Sequence, residues 1–253
     1  MMQRVLITGA AGRIGQDVVN ILGRQRNYQL RLADINLSAL EVFKDASHEI
    51  IYLNVSDLAA CQEAIKGMDL VIHLAGDPSP EADFYGSLLE NNIKGTYNIF
   101  RASKDNNVSK VIVASSAQTI ESYPLDYQVN TNSPIRPKNM YGVSKCFVEA
   151  VASYFAYAED LQSIAIRIGA YDDYNPNGKP LSARDMSAYL SPEDFIDLLL
   201  KSMTAKNLPP FSILHGISDN RFKRLDIEET KKLVGYNPSA DAFELSGVKL
   251  FDK

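Results

Sequence analysis

The stretch Val5-Leu-Ile-Thr-Gly-Ala-Ala-Gly-Arg-Ile-Gly15 decides how this chain folds. A short apolar run drops into three glycines, Gly9, Gly12 and Gly15, at the spacing of a turn that holds a dinucleotide diphosphate. Gly9 allows a tight turn out of the strand, Gly12 lets the backbone approach a pyrophosphate, and Gly15 lets the following helix close onto the sheet. The start of that helix presents free N–H groups to the phosphates. With 14 glycines in 253 residues the triplet also arises by chance, so its flanks carry the reading. A helical pattern follows through Ile14, Val18, Val19 and Leu22, and residues 29–32 read as a second strand that ends in Ala33-Asp34.

Asp34 stands about twenty residues past the glycines, where a carboxylate accepts hydrogen bonds from the adenosine ribose. That favours NAD: a carboxylate repels the extra phosphate of NADP, and the next residue is Ile35 rather than an arginine. Arg31 points weakly the other way, its direction unresolved by strand alternation alone.

Apolar β-type runs at 4–8, 29–32, 50–53, 70–74, 110–114, 163–168 and 211–215 alternate with helical patterns near 14–24, 58–65, 84–104 and 141–158. This is the sequence form of an α/β, Rossmann-type doubly wound parallel sheet. A later helix opens at Ser191-Pro-Glu-Asp194, with a capping serine, a first-turn proline and acids at the positive end of its dipole. Two long loops, 118–140 and 169–189, leave the carboxyl ends of strands, where open α/β sheets bind ligands.

At 45% hydrophobic and 23% charged residues, the chain is expected to bury one sizeable core, as a single NAD(P)-binding domain over 1–253. A net charge of −5 without a basic stripe argues against nucleic acid as a partner. No apolar run approaches bilayer length, and the first strand begins at once with no room for a signal peptide; the expected location is the cytoplasm. Cys61 and Cys146 are too few for a disulfide framework, and His48, His73 and His215 lack metal-ligand spacing, so no metal is expected.

Tyr141-Gly-Val-Ser-Lys145 supplies the chemistry. A tyrosine and a lysine four apart share one helix face, and an ammonium there depresses the phenol pKa, fitting Tyr141 as a general base. Ala114-Ser115-Ser116, at the end of the preceding strand, offers a hydroxyl to the reacting oxygen.

Together, Thr8-Gly-Ala-Ala-Gly-Arg-Ile-Gly15, His73-Leu-Ala-Gly76, Asn91-Asn-Ile-Lys-Gly-Thr96, Ser115-Ser116 and Tyr141-Gly-Val-Ser-Lys145 resemble the extended short-chain dehydrogenase/reductases, the NAD-dependent epimerase/dehydratase superfamily. The resemblance runs through nearly the whole chain. It implies Ser116, Tyr141 and Lys145 as the catalytic set, and Lys145 as a ligand of the nicotinamide ribose. It places Arg13, Ile14, Leu74, Ala75 and Gly76 along the cofactor, with Asn92 toward the nicotinamide.

Only about 85 residues follow the sixth strand, little material for the clasp of a nucleotide sugar. The segments Arg167-Ile-Gly169, Ser191-Pro-Glu-Asp-Phe195 and His215-Gly-Ile-Ser-Asp-Asn220 resemble instead the short uronate dehydrogenases and the haloarchaeal-type glucose-6-phosphate dehydrogenases. His73-Leu-Ala-Gly-Asp-Pro-Ser-Pro-Glu81 is nearer the second type. That resemblance implies oxidation of the anomeric carbon of a hexuronate or hexose (phosphate) to a lactone, with substrate-side elements mainly in 169–253. Arg184 then matches the arginine that reads the substrate carboxylate, a role that suits a guanidinium fork. Arg13 is a second candidate for the substrate anion, or equally for the cofactor diphosphate. Ser116 and Gln118 complete the substrate side. The family pattern Ser-Ser-Asn-His is replaced by Ser115-Ser116-Ala117-Gln118, and the loop 172–180 is longer than in uronate dehydrogenases.

Two other readings use the same residues: a nucleotide-sugar epimerase or dehydratase that retains its NAD, and a non-catalytic NAD sensor, which has no use for the tyrosine–lysine pair. The family also implies a homodimer through helices near 84–104 and 141–158. Leu88, Leu89, Ile93, Phe100, Phe147, Val151 and Phe155 on those helices suit either an interface or a core.

Overall fold

The computed structural model describes residues 2–44, 48–175 and 178–248. Its centre is a seven-stranded sheet of β1 (Gln3–Thr8), β2 (Tyr28–Asp34), β3 (Glu49–Tyr52), β4 (Leu70–His73), β5 (Lys110–Ser116), β6 (Gln162–Ile168) and β9 (Phe211–Gly216). The strands are all parallel, in the order β3-β2-β1-β4-β5-β6-β9. The order reverses between β1 and β4, and their carboxyl ends open the crevice where such sheets take ligands.

Because helices cover both faces, the strands are apolar nearly without interruption. Val5 and Ile7 of β1 point into one layer with Val18, Val19 and Leu22 of α1 (Arg13–Leu22) and Leu198 of α6 (Pro192–Thr204). Leu6, between them, points into the other layer with Ile99 and Phe100 of α3 (Gly95–Asp105) and Val148 and Phe155 of α4 (Met140–Ala158). The two-residue period of β1 thus sorts its side chains between two cores.

β2 ends at Asp34, as the sequence suggests, while β5 runs on from the expected 110–114 through Ser116. The predicted helix over 84–104 is one run of two windings, a π-helical stretch Phe84–Lys94 that passes into α3. The loop 169–189 contains β7 (Ala170–Tyr171), α5 (Ala183–Ala188) and β8 (Tyr189–Leu190), with β7 paired to β8. The remaining helices are α2 (Leu58–Ile65), α7 (Glu228–Val234) and α8 (Ala242–Leu245). The loop 118–140 is fastened from outside: buried Arg224 donates to the carbonyls of Tyr123 (2.8 Å) and Pro124 (2.5 Å), and Val129 bridges to Leu225.

On the two helices expected to pair between subunits, Leu88, Phe100, Val151 and Phe155 are core residues, while Leu89, Ile93 and Phe147 are half-buried. The large apolar and aromatic side chains these helices expose are Tyr85, Tyr97, Met140, Val143, Tyr154 and Tyr157. No described helix is long and apolar enough to cross a membrane.

Candidate active site

A cavity of about 870 Å³ opens along the carboxyl ends of β1, β2, β4 and β5. At its first end lies the glycine turn. Gly9 has φ +72°, and a Cβ there would sit 2.6 Å from the backbone N of Ala75, so the exits of β1 and β4 touch only because that atom is missing. A Cβ on Gly15 would lie 2.2 Å from the Gly9 carbonyl oxygen. Gly12 begins α1 without a capping side chain, leaving first-turn N–H groups toward the cavity. Asp34 lines the same end and braces the turn, its Oδ2 accepting from Ala11 N (3.0 Å) and its Oδ1 from Asn36 N (2.9 Å).

Arg31 lies elsewhere. Its guanidinium pairs with Glu49 (2.6 Å) and donates to the carbonyl oxygens of Ala64 (2.7 Å) and Lys66 (3.1 Å), so Arg31 is committed away from Asp34. An uncapped helix start, a Cβ-free floor and a carboxylate one strand away, in one continuous cavity, fit an extended dinucleotide of the NAD type.

Ile14, Leu74, Ala75 and Gly76 line the middle of the cavity. Asn92 does not, a correction to its expected place along the cofactor: it is 1% exposed, and its amide is committed behind the wall. Its Oδ1 accepts from Asp77 N (2.8 Å) and its Nδ2 donates to Asp77 O (3.1 Å) and Ser144 Oγ (3.1 Å), tying the loop after β4 to α4. The neighbour Asn91 lines the cavity instead. His73 is buried, its Nδ1 2.7 Å from Thr8 Oγ1, and burial pushes its pKa down to about 3.

At the far end, Ser116, Tyr141 and Lys145 converge. Tyr141 and Ser116 both line this end of the cavity, and Ser116 Oγ accepts from Gln118 N (3.2 Å). Lys145 Nζ donates to the Ala114 carbonyl (2.8 Å) and lies 5.7 Å from the centre of the Tyr141 ring. Burial pulls Lys145 down to about 8. The Tyr141 phenol moves opposite to the expectation: burial raises its pKa, the Ser116 hydroxyl opposes this, and Asp77 adds to the rise. Lys145 faces the ring rather than the hydroxyl and is held by a carbonyl, so desolvation of Tyr141 wins in the protein without cofactor.

Asn139 sets the angle of α4. Its Oδ1 accepts from Gly142 N (2.7 Å), capping the helix, and its Nδ2 donates to Gln118 Oε1 (3.0 Å), fixing Gln118 on the cavity wall. Gly142 must lack a Cβ, which would stand 2.5 Å from the Gln118 carbonyl oxygen. Behind this end lies a buried cluster that sequence reasoning missed. Glu149 of α4 accepts from Arg167 Nε (2.8 Å), Arg167 Nη2 (2.9 Å) and Ser115 Oγ (2.6 Å). Arg167 also reaches His215 Nε2 at 3.5 Å, and burial lowers His215 to about 4.

The two expected anion readers both line the cavity, and both already have carboxylate partners. Arg13 Nη2 contacts Asp172 (2.7 Å) and Asp173 (3.3 Å), and its guanidinium lies 5.5 Å from the centre of the Tyr171 ring. Arg184 forks onto Glu121 (Nε–Oε1 2.9 Å, Nη2–Oε2 2.6 Å) and reaches Asp185 at 3.1 Å. Glu121 and Arg184 are 63 residues apart, and nothing in the local sequence signals their pairing. Among the described residues no cluster of His, Cys, Asp and Glu is suited to hold a metal ion.

Known proteins resemble this chain over most of its length. The NAD-dependent glucose-6-phosphate dehydrogenase of Haloferax volcanii is 33% identical, over 97% of this chain and 97% of its own. The L-arabinose 1-dehydrogenase (NAD(P)(+)) of the same organism is 29% identical, over 94% of this chain and 96% of its own. The crystal structure of uronate dehydrogenase from Agrobacterium tumefaciens superposes with a TM-score of 0.86 at 28% identity, over 100% of this chain and 91% of that one. Residues 5–187 match the model of the NAD dependent epimerase/dehydratase family, and with relatives that align almost end to end, this chain belongs to that family.

Proposed function

We propose that this protein is an NAD-dependent dehydrogenase that oxidises the anomeric carbon of a ring-form sugar to a lactone. The observation that carries the reading is the convergence of Ser116, Tyr141 and Lys145 at one end of a cavity whose other end is the glycine turn and Asp34. Gly9, Gly12, Ile14, Gly15, Asp34, Leu74, Ala75 and Gly76 hold the cofactor, and Ser116, Gln118 and Arg184 face the sugar, with the segment after Gly169 closing over it. NAD, when bound, accepts the hydride that leaves C1.

Tyr141, ionised as its phenolate once the positive charges of Lys145 and the bound nicotinamide offset its desolvation, takes the proton of the C1 hydroxyl, so the sugar loses one hydride and one proton and its C1–O bond becomes the lactone carbonyl. Ser116 donates to that oxygen and keeps it beside the Tyr141 hydroxyl. Lys145, fixed by the Ala114 carbonyl, holds the nicotinamide ribose and keeps positive charge near the phenol. General-base catalysis of this kind contributes about 10²–10⁴-fold to the rate. Subunits pair through the tyrosine-bearing face of α3 and α4, and sedimentation at micromolar concentration checks for a homodimer.

The test is NADH formation from NAD+ with a panel of aldoses, hexuronates and glucose 6-phosphate, with NADP+ in parallel. Turnover of at least one sugar with NAD+ supports the reading. Silence across the panel, together with NAD that survives purification, replaces it with the nucleotide-sugar epimerase or dehydratase reading.

A further inference from the structure

Three cationic side chains line the cavity among the described residues: Arg13, Lys145 and Arg184. Arg13 is engaged by Asp172 and Asp173, and Lys145 by the Ala114 carbonyl beneath Tyr141. Arg184, the only one of the three on the sugar side apart from the catalytic lysine, is engaged by Glu121 through two nearly parallel bonds of 2.9 and 2.6 Å and by Asp185 at 3.1 Å. We infer that Glu121 is a specificity-determining residue: it cancels the charge of Arg184, so that the site selects uncharged aldoses and rejects hexuronates and hexose phosphates. The inference rests on the sugar dehydrogenase reading and names its substrate class.

The Glu121 and Arg184 side chains are 12% and 21% exposed, so the pair is largely out of water. A substrate carboxylate or phosphate that took the Arg184 fork would strand the Glu121 carboxylate in that setting, and an unpaired buried charge is strongly unfavourable. The next cation, Arg224, is 2% exposed, donates through Nη1 and Nη2 to the carbonyls of Pro124 and Tyr123, and makes no hydrogen bond to the Glu121 carboxylate, so it acts on Glu121 only at a distance and does not replace the Arg184 fork. Arg184 and Arg224 against Glu121 and Asp185 leave no net charge. Asp77, also on the cavity wall, adds a negative one.

A neutral hydroxyl meets different conditions. A guanidinium has five N–H donors, and the three bonds to Glu121 and Asp185 use three of them. Two remain for sugar oxygens, which accept without displacing a carboxylate. Gln118 keeps its amide donors as well, since it is the Gln118 carbonyl that Asn139 engages.

The experiment compares kcat/KM for galactose against galacturonate and for glucose against glucuronate and glucose 6-phosphate, in the wild type and in Glu121→Gln. The wild type is expected to prefer each oxidised neutral sugar over its anionic counterpart by at least about 100-fold. E121Q is expected to shrink that ratio at least about ten-fold, mainly through a lower KM for the anion. A wild type that oxidises an anionic sugar as well as its neutral counterpart overturns the inference, whether or not the variant folds. So does an E121Q enzyme that binds NAD normally with its ratio unmoved. If no sugar is turned over, the dehydrogenase reading fails separately. Calorimetric titration of the NAD-loaded proteins with glucuronate then decides on Glu121: at least about ten-fold tighter binding by E121Q upholds its role, and equal binding refutes it.

Discussion

Replacing Glu149 by glutamine keeps the size of the side chain and removes its charge, which leaves the Arg167 guanidinium uncompensated at 2% exposure. Three bonds converge on this carboxylate, two from Arg167 and one from Ser115, so the variant loses two charge-assisted pairs and weakens the third. Removing one partner of such a buried pair costs about 3–5 kcal/mol. At about 2–4 °C per kcal/mol for a chain of this length, the melting temperature falls by roughly 10 °C. Differential scanning calorimetry at neutral pH measures it. A double variant, Glu149→Leu with Arg167→Met, removes both charges while filling their volume, and it should recover most of the loss. A fall of less than about 3 °C in the single variant would refute the claim that this pair is sealed from water and mutually dependent. A double variant less stable than E149Q would refute the view that the stranded charge is the main cost.

Tyr141→Phe removes the proton acceptor and should lower kcat by about 10²–10⁴-fold while NAD affinity, measured by calorimetric titration, stays within a few-fold. An unchanged kcat removes Tyr141 from the chemistry. Asp34→Ser removes the charge that opposes a ribose phosphate, so the NADP+ to NAD+ ratio of kcat/KM should rise by at least about ten-fold; a static ratio shows that Asp34 only braces the glycine turn. Burial holds His73 and His215 below 6.5, at about 3 and about 4, so below pH 6.5 the unfolded chain binds protons that the folded chain declines. Stability therefore falls as the pH drops from about 6.5 toward 4, and for His73 toward 3. A melting temperature that holds level between pH 7 and pH 5 contradicts this.

The central strands β1, β4 and β5 were legible because they are buried on both faces and are apolar along most of their length, whereas the edge strand β3 is partly exposed and carries Glu49 and Tyr52 at its ends. The glycine turn was legible because backbone contacts as close as Gly15 to Gly9 admit no other residue. β7, β8 and α5 were not: two-residue strands have no period to read, and Ala170–Tyr171 is extended only because Tyr189–Leu190 lies beside it. In the site, the Tyr141–Lys145 pair is legible in its helical spacing and Ser116 in the family resemblance, and all three line the cavity. The long-range partners of the other polar groups around the cavity are not legible in this way. Glu121 meets Arg184 across 63 residues, Asp172 meets Arg13 across 159, and Glu149 meets Ser115 across 34. The face of Arg31 was undecided for the same reason, since only the tertiary pairing of β2 with β3 brings Glu49 to it. The direction of the Tyr141 shift depends on burial, which a four-residue spacing does not contain.

Tyr141, Lys145 and Glu149 fall at successive steps of four along α4, so one stripe of one helix carries the proton acceptor, the ammonium and the structural anchor. Each residue of an α-helix turns about 100° from the last. A single insertion or deletion between Tyr141 and Glu149 would swing one end of the stripe about a quarter-turn out of phase, so with the anchor seated neither catalytic group could face the cavity. The spacing of this segment is as constrained as the identities of Tyr141, Gly142, Lys145 and Glu149. Alignments and engineered libraries should therefore treat residues 141–149 as a fixed ruler, against which length changes elsewhere in the chain are measured.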